Sequence, residues 1–100
     1  MKMKLPEFVK VGALTYKVEE TDRLELGTNY LGEILYDTLE IRVRPGAVQR
    51  ERQTLLHEII HAMLVNIGEK EHDERMVEGL AHTLLEVIQD NPDLINSLRT

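Results

Sequence analysis

Two histidines and the glutamate beside the first of them are the residues of this chain best suited to chemistry. His57, Glu58 and His61 form the pattern His-Glu-x-x-His inside the run Leu55-Leu56-His57-Glu58-Ile59-Ile60-His61-Ala62-Met63-Leu64-Val65. On a helix, histidines four residues apart stand one turn above each other, so their imidazoles can converge on one metal ion. Glu58 need not be a ligand. It lies where a carboxylate can take a proton from a water that the metal activates. The expected cofactor is zinc (Zn2+), held by His57 and His61, with Glu58 as general base for hydrolysis of a carbonyl substrate.

At about 100° per residue, Leu56, Ile59, Ile60, Met63, Leu64 and Ile67 fall on one broad stripe, which the sequence marks as the core face. His57 and His61 fall at its margin and Glu58 lies further round. Burying three ionisable groups in so apolar a run is costly unless they are partnered. Boundary histidines satisfied by neighbouring hydrogen bonds are the bland account of a lone imidazole. The complete motif on a helix favours metal.

A hydrolytic zinc site takes three protein ligands and keeps one open position. The third ligand is expected from the second long helix. There Glu74 falls within the angular range of the Val77, Ala81, Leu84 and Leu85 stripe that must pack on the first helix. Glu78 at the stripe's edge is the second choice. His82 lies further off the stripe, and His72 in the connection could reach back if the turn is tight. An acidic residue near a helix N-terminus also suits the helix dipole, which is the plain structural reading of Asp73 and Glu74.

The elements that must position these residues read in order. Residues 1–7 form a short tail ending near Pro6. Phe8 to about Glu20 is β-leaning, with Gly12-Ala13 between its halves suggesting a hairpin or bulge. Residues 21–29 read as a loop. Tyr30–Tyr36 and Leu39–Arg44 make a probable hairpin. Its second run alternates strictly, with Leu39, Ile41 and Val43 facing inward and Glu40, Arg42 and Arg44 making a solvated outer face. Pro45-Gly46 ends it. The first long helix should run from Ala47 or Val48 to about Ile67, capped by Gly68. The second should run from about Asp73 to Gln89, with Val77, Leu80, Ala81, Leu84, Leu85 and Ile88 apolar. Pro92 can open a short last helix. Strands first and helices second give an α+β class: a small antiparallel sheet of about three to four strands, two long packed helices and a short C-terminal helix.

Composition narrows the function. One hundred residues suit one domain, spanning 1–100, with one modest core. No cysteine is present, so any metal takes nitrogen and oxygen ligands. A formal net charge of −6 argues against nucleic acid as a partner. The N-terminus has no long apolar run behind its lysines, which argues against a signal peptide, and no stretch reaches membrane-spanning length. The expected setting is the cytoplasm, with no membrane partner.

With Thr54-Leu55-Leu56-His57-Glu58-Ile59-Ile60-His61-Ala62 and Glu74-x-x-Val77-x-x-Leu80-Ala81-x-x-Leu84-Leu85 in view, the chain resembles a minimal zinc metallopeptidase of the gluzincin type. It is similar to the phage-type and ImmA/IrrE-like enzymes and to the single-domain minigluzincins, over about Tyr30 to Pro92. The resemblance implies a small sheet before the HExxH helix and a zinc-binding glutamate on the next helix, here Glu74. It also implies endopeptidase activity on a protein or peptide substrate lying along a sheet edge, with Leu39–Arg44 or Tyr30–Tyr36 as the lip. The usual Ala-Asn pair after the ligand glutamate is replaced by Val77-Glu78. A metzincin pattern is absent, since Ile67 stands where its third histidine would be. An SprT-like site would need His82 or His72 as third ligand. Tyr36 and His82 are the candidates for an extra oxyanion donor. Against the peptidase stands a non-catalytic or latent zinc-stabilised domain that acts by binding protein partners. The sequence leaves substrate and oligomeric state open.

Overall fold

A computed structural model of the chain describes residues 5–99. The first four residues of the expected tail lie outside that span. Four strands come first: β1 (Phe8–Val11), β2 (Leu14–Glu20), β3 (Gly32–Leu35) and β4 (Glu40–Val43). Three helices follow: α1 (Val48–Asn66), α2 (Glu74–Asp90) and α3 (Leu94–Arg99). The class is α+β, as the order of sequence patterns implied.

The sheet is mixed, with strand order β1-β2-β4-β3. β1 and β2 form an antiparallel hairpin turning at Gly12-Ala13, and β3 and β4 form a second, with Ile34 opposite Ile41. The difference from the expected antiparallel sheet is the central pairing, where β2 runs parallel to β4 with Val18 opposite Ile41. The cause is the loop over residues 21–31. The chain leaves β2, passes the end of the β4 position and enters β3 at the sheet edge. The second hairpin then folds β4 back into the gap, which fixes its direction. Thr21 N–H to Val43 O (3.0 Å) and Arg44 N–H to Leu31 O (2.8 Å) seal that crossing.

The outer-face arginines hold this loop instead of standing free in solvent. Arg44 donates from Nε to Tyr30 O (2.9 Å), from Nη2 to Gly27 O (3.0 Å) and from Nη1 to Asp22 O (3.3 Å). Glu33 is buried and accepts from the backbone N–H groups of Glu25 and Leu26, each at 3.0 Å, and from Arg42 Nη1 at 3.3 Å. A buried carboxylate is tolerated because its lone pairs are filled.

α1 forms the middle layer of three. One side packs on the sheet, where Leu55, Ala62 and the partly buried Ile59 meet Tyr16, Ile41 and Val43. The other side packs on α2, where Ile60, Leu56 and Leu64 meet Val77 and Ala81. This corrects the single stripe read from the sequence: Met63 (47% exposed) and Ile67 (74%) lie outside the core, whereas Leu55, Ala62 and Glu58 are buried. A helix covered on two sides has two apolar seams, and a one-face template averages them into the wrong direction. On α2 the expected Leu80 is likewise exposed, with Val77, Ala81 and Leu85 forming the buried row.

The helix ends are locally coded. Glu51 Oε2 accepts from Gly46 N–H (2.9 Å) at the start of α1. At its end Gly68 has φ +85°, and Gly68 and Glu69 N–H donate to Val65 O (3.0 Å) and Leu64 O (2.8 Å), closing the helix as the sequence indicated. Asp73 caps α2, accepting from Arg75 N–H (3.0 Å) and Met76 N–H (3.3 Å). Among the described residues, no helix is long and apolar enough to cross a membrane.

Candidate metal centre

The site forms where the edge strand β3, α1 and the start of α2 meet. His57 and His61 project from adjacent turns of α1 with ring centroids 5.0 Å apart. Packing of Val77 and Ala81 against Ile60 sets α2 along α1, and the Asp73 cap fixes where α2 begins. Glu74, one turn before Val77, therefore faces the two imidazoles. Its Oε2 lies 3.1 Å from His57 Nε2 and its Oε1 lies 2.9 Å from His61 Nε2.

One ligand atom each from His57, His61 and Glu74 can be chosen so that all lie within 4.8 Å of one another, a group that could hold a metal ion. Two imidazole nitrogens and a carboxylate are a donor set that zinc takes readily, and tetrahedral ligation at about 2.0–2.1 Å spaces its ligand atoms by roughly 3.3 Å. The contacts of 3.1 and 2.9 Å are made by the two different oxygens of Glu74, one to each imidazole.

The other candidates for third ligand stand elsewhere. Glu78 meets the opposite ring nitrogen of His57 (Nδ1, 3.4 Å) and accepts from Gln53 Nε2 (3.2 Å). His72 meets Nδ1 of His61 at 2.7 Å. His82 is exposed and pairs with Glu86 (3.1 Å), one helical turn away on α2.

Glu58 is the most buried group of the motif, at 6% exposed. Burial disfavours its charged form and lifts its carboxyl from 4.5 to about 7, offset in part by His57 and reinforced by Glu74, Glu33 and Glu78. Burial also pushes His61 below its ordinary value. Gly32 makes the close approach of α1 to β3 possible: a Cβ there would sit 2.5 Å from Thr54 Cγ2 on α1 and 2.9 Å from Arg42 O.

Tyr36 shares one cleft with His57, Glu58, His61 and Glu74. Burial, then Tyr16, Glu58 and Glu74, push its hydroxyl up to about 12, so it is a hydrogen-bond donor at neutral pH. The sequence named Tyr36 without locating it. The β alternation carries the signal, because Gly32, Ile34 and Tyr36 are spaced two apart and share the helix-facing side. The buried role of Glu33 had no such signal, whereas His72 does reach back from the connection, to Nδ1 of His61.

Leu26 and Tyr30, on the loop pinned by Glu33 and Arg44, complete the cleft wall. Of the two strands expected as its lip, β3 is the edge strand and β4 is internal. Compared with known proteins, the chain matches no family model, no curated protein and no solved structure.

Proposed function

We propose that the chain is a zinc-dependent metallopeptidase of the gluzincin type, an endopeptidase in which His57, His61 and Glu74 hold the metal and Glu58 is the general base. The observation that carries this reading is the buried Glu58 beside a His-His-Glu group in an open cleft. Bound zinc would supply a Lewis acid that acidifies water and polarises a carbonyl. Glu58 takes a proton as water oxygen bonds to the carbonyl carbon, and returns it to the nitrogen as the C–N bond breaks. Tyr36 donates its hydroxyl hydrogen to the oxygen that gains charge. An extended peptide substrate would pair with the free edge of β3, and Leu26 and Tyr30 would line its path.

A second reading uses the same metal without catalysis. Zinc would tie the start of α2 to α1, the element against which α2 packs, and stabilise a partner-binding domain. One experiment separates the two. The purified protein is assayed for metal content and for cleavage of a mixed peptide library, alongside Glu58→Gln and His57→Ala. The peptidase reading expects about one zinc per chain, lost in His57→Ala and kept in Glu58→Gln, with cleavage abolished in both. Zinc binding without cleavage in the wild type supports the staple, and a wild type that binds no zinc sinks both readings.

A further inference from the structure

His72 stands outside the proposed metal ligands, in the short connection between α1 and α2, yet it makes the closest contact of any group to one of them. Its Nδ1 lies 2.7 Å from Nδ1 of His61, and its Nε2 lies 2.9 Å from the backbone carbonyl oxygen of Glu69. The ring centroids are 4.9 Å apart and the planes differ by 22°. That separation is close to the nitrogen–nitrogen contact plus the two ring radii, so the rings meet edge to edge, as hydrogen-bonded imidazoles do.

The hydrogens on this line follow from the partners. A carbonyl oxygen can only accept, so Nε2 of His72 carries a hydrogen. In the neutral ring, Nδ1 of His72 is then a bare acceptor. A contact of 2.7 Å between two nitrogens needs a hydrogen between them. That hydrogen belongs to Nδ1 of His61. His61 then turns its Nε2 lone pair toward Glu74 Oε1 at 2.9 Å, a contact of two acceptors that a metal ion between them would relieve.

We propose that His72 is a positioning residue for the metal centre: through the chain Glu69 C=O to His72 to His61, it fixes the tautomer and ring plane of His61 and aims the Nε2 lone pair at the metal. This rests on the reading of His57, His61 and Glu74 as a metal site. The chain is anchored at its far end, because Glu69 is tied to the close of α1 by its N–H to Leu64 O (2.8 Å). The close of α1 thus orients a side chain that α1 itself carries. Metal-bound histidines commonly donate their second ring N–H to a carboxylate, a carbonyl or water. Here a second imidazole takes that place and relays it to a carbonyl.

The test compares wild type, His72→Phe and His72→Asn. Phe keeps a ring and removes the acceptor, whereas Asn returns an acceptor oxygen near the position of Nδ1. Long-range 1H–15N spectra of the metal-free proteins read the tautomer directly. His61 should be the Nδ1–H form in wild type and His72→Asn, and shift toward the Nε2–H form in His72→Phe. Zinc affinity, from competition with a chromophoric chelator, should fall about 10- to 100-fold in His72→Phe and recover in His72→Asn. The melting temperature of metal-free His72→Phe, close to wild type, verifies folding. If wild type binds zinc and His72→Phe binds it as tightly with His61 still Nδ1–H, this inference fails while the metal site stands. If wild type binds no zinc, the metal site fails and takes this inference with it.

Discussion

Glu58 should make the metal-free protein less stable as pH rises, and Glu58→Gln should remove that dependence. The side chain is buried at 6% exposure, and its carboxyl is raised from 4.5 to about 7. The folded state therefore holds a proton that the unfolded chain releases near pH 4.5. Between these values the folded state binds more protons, so stability falls with pH: the full contribution is present below about pH 4.5 and is lost by the time pH passes about 7. The shift corresponds to about 3 kcal/mol, a large part of the roughly 5–15 kcal/mol that holds a typical domain together. His61 acts in the opposite sense. Its value is lowered by burial, so it gains stability as pH rises through its ordinary 6.5. Both proteins contain His61, and the difference between them isolates Glu58. The assay is urea unfolding with chelator present, in steps from about pH 4 to about pH 8, for wild type and Glu58→Gln. The two should agree at the acid end, and Glu58→Gln should be more stable by up to about 3 kcal/mol above neutrality. A difference curve that stays flat would mean the carboxyl titrates normally in water, and the buried placement of Glu58 beside Gly32 would be wrong.

The remaining predictions test the walls of the site. Gly32→Ala forces a Cβ against the Thr54 methyl of α1 and the Arg42 carbonyl, so it should cost about 1–3 kcal/mol of stability in denaturant unfolding; a variant as stable as wild type would show that α1 does not pack this closely on β3. Tyr36→Phe should reduce kcat for peptide cleavage by about 100-fold with KM and zinc content near wild type. An unchanged kcat would remove Tyr36 from the reaction. Arg44→Ala releases the carbonyls of Asp22, Gly27 and Tyr30, and amide exchange over residues 22–31 should quicken while β1 and β2 stay protected. Uniform exchange across the chain would place the loop's anchor elsewhere.

What could be read in advance follows the range of the interactions that decide it. The helix limits were legible because they are coded within a few residues: the Asp73 cap, the left-handed Gly68 and the Pro45-Gly46 break. The β3–β4 hairpin was legible because Leu39–Arg44 alternates strictly and its partner is adjacent in sequence. The parallel pairing of β2 with β4 was not, because it depends on how the loop over residues 21–31 crosses the sheet end. That path is held by Arg44 and Glu33, whose charges read equally well as a solvated face. The core side of α1 was misjudged for a related reason. Periodicity reports one direction, whereas α1 is covered by the sheet on one side and α2 on the other. The cluster of His57, His61 and Glu74 was legible because the i, i+4 spacing and the α2 stripe are both local patterns that packing had only to bring together.

The middle position of α1 also explains why the polar residues gather where they do. A helix covered on two sides keeps two narrow strips between its apolar seams, and side chains on a strip stand beside both neighbours at once. His57, Glu58 and His61 occupy the strip that opens between β3 and the start of α2. Glu58 falls nearest the sheet and is buried there, while the histidines reach Glu74 across the helix interface. The same burial that raises the Glu58 carboxyl in the metal-free fold puts it on the cleft floor, within the field of the His-His-Glu group. A carboxyl that weakens the fold above neutrality and faces such a group has the placement a general base requires.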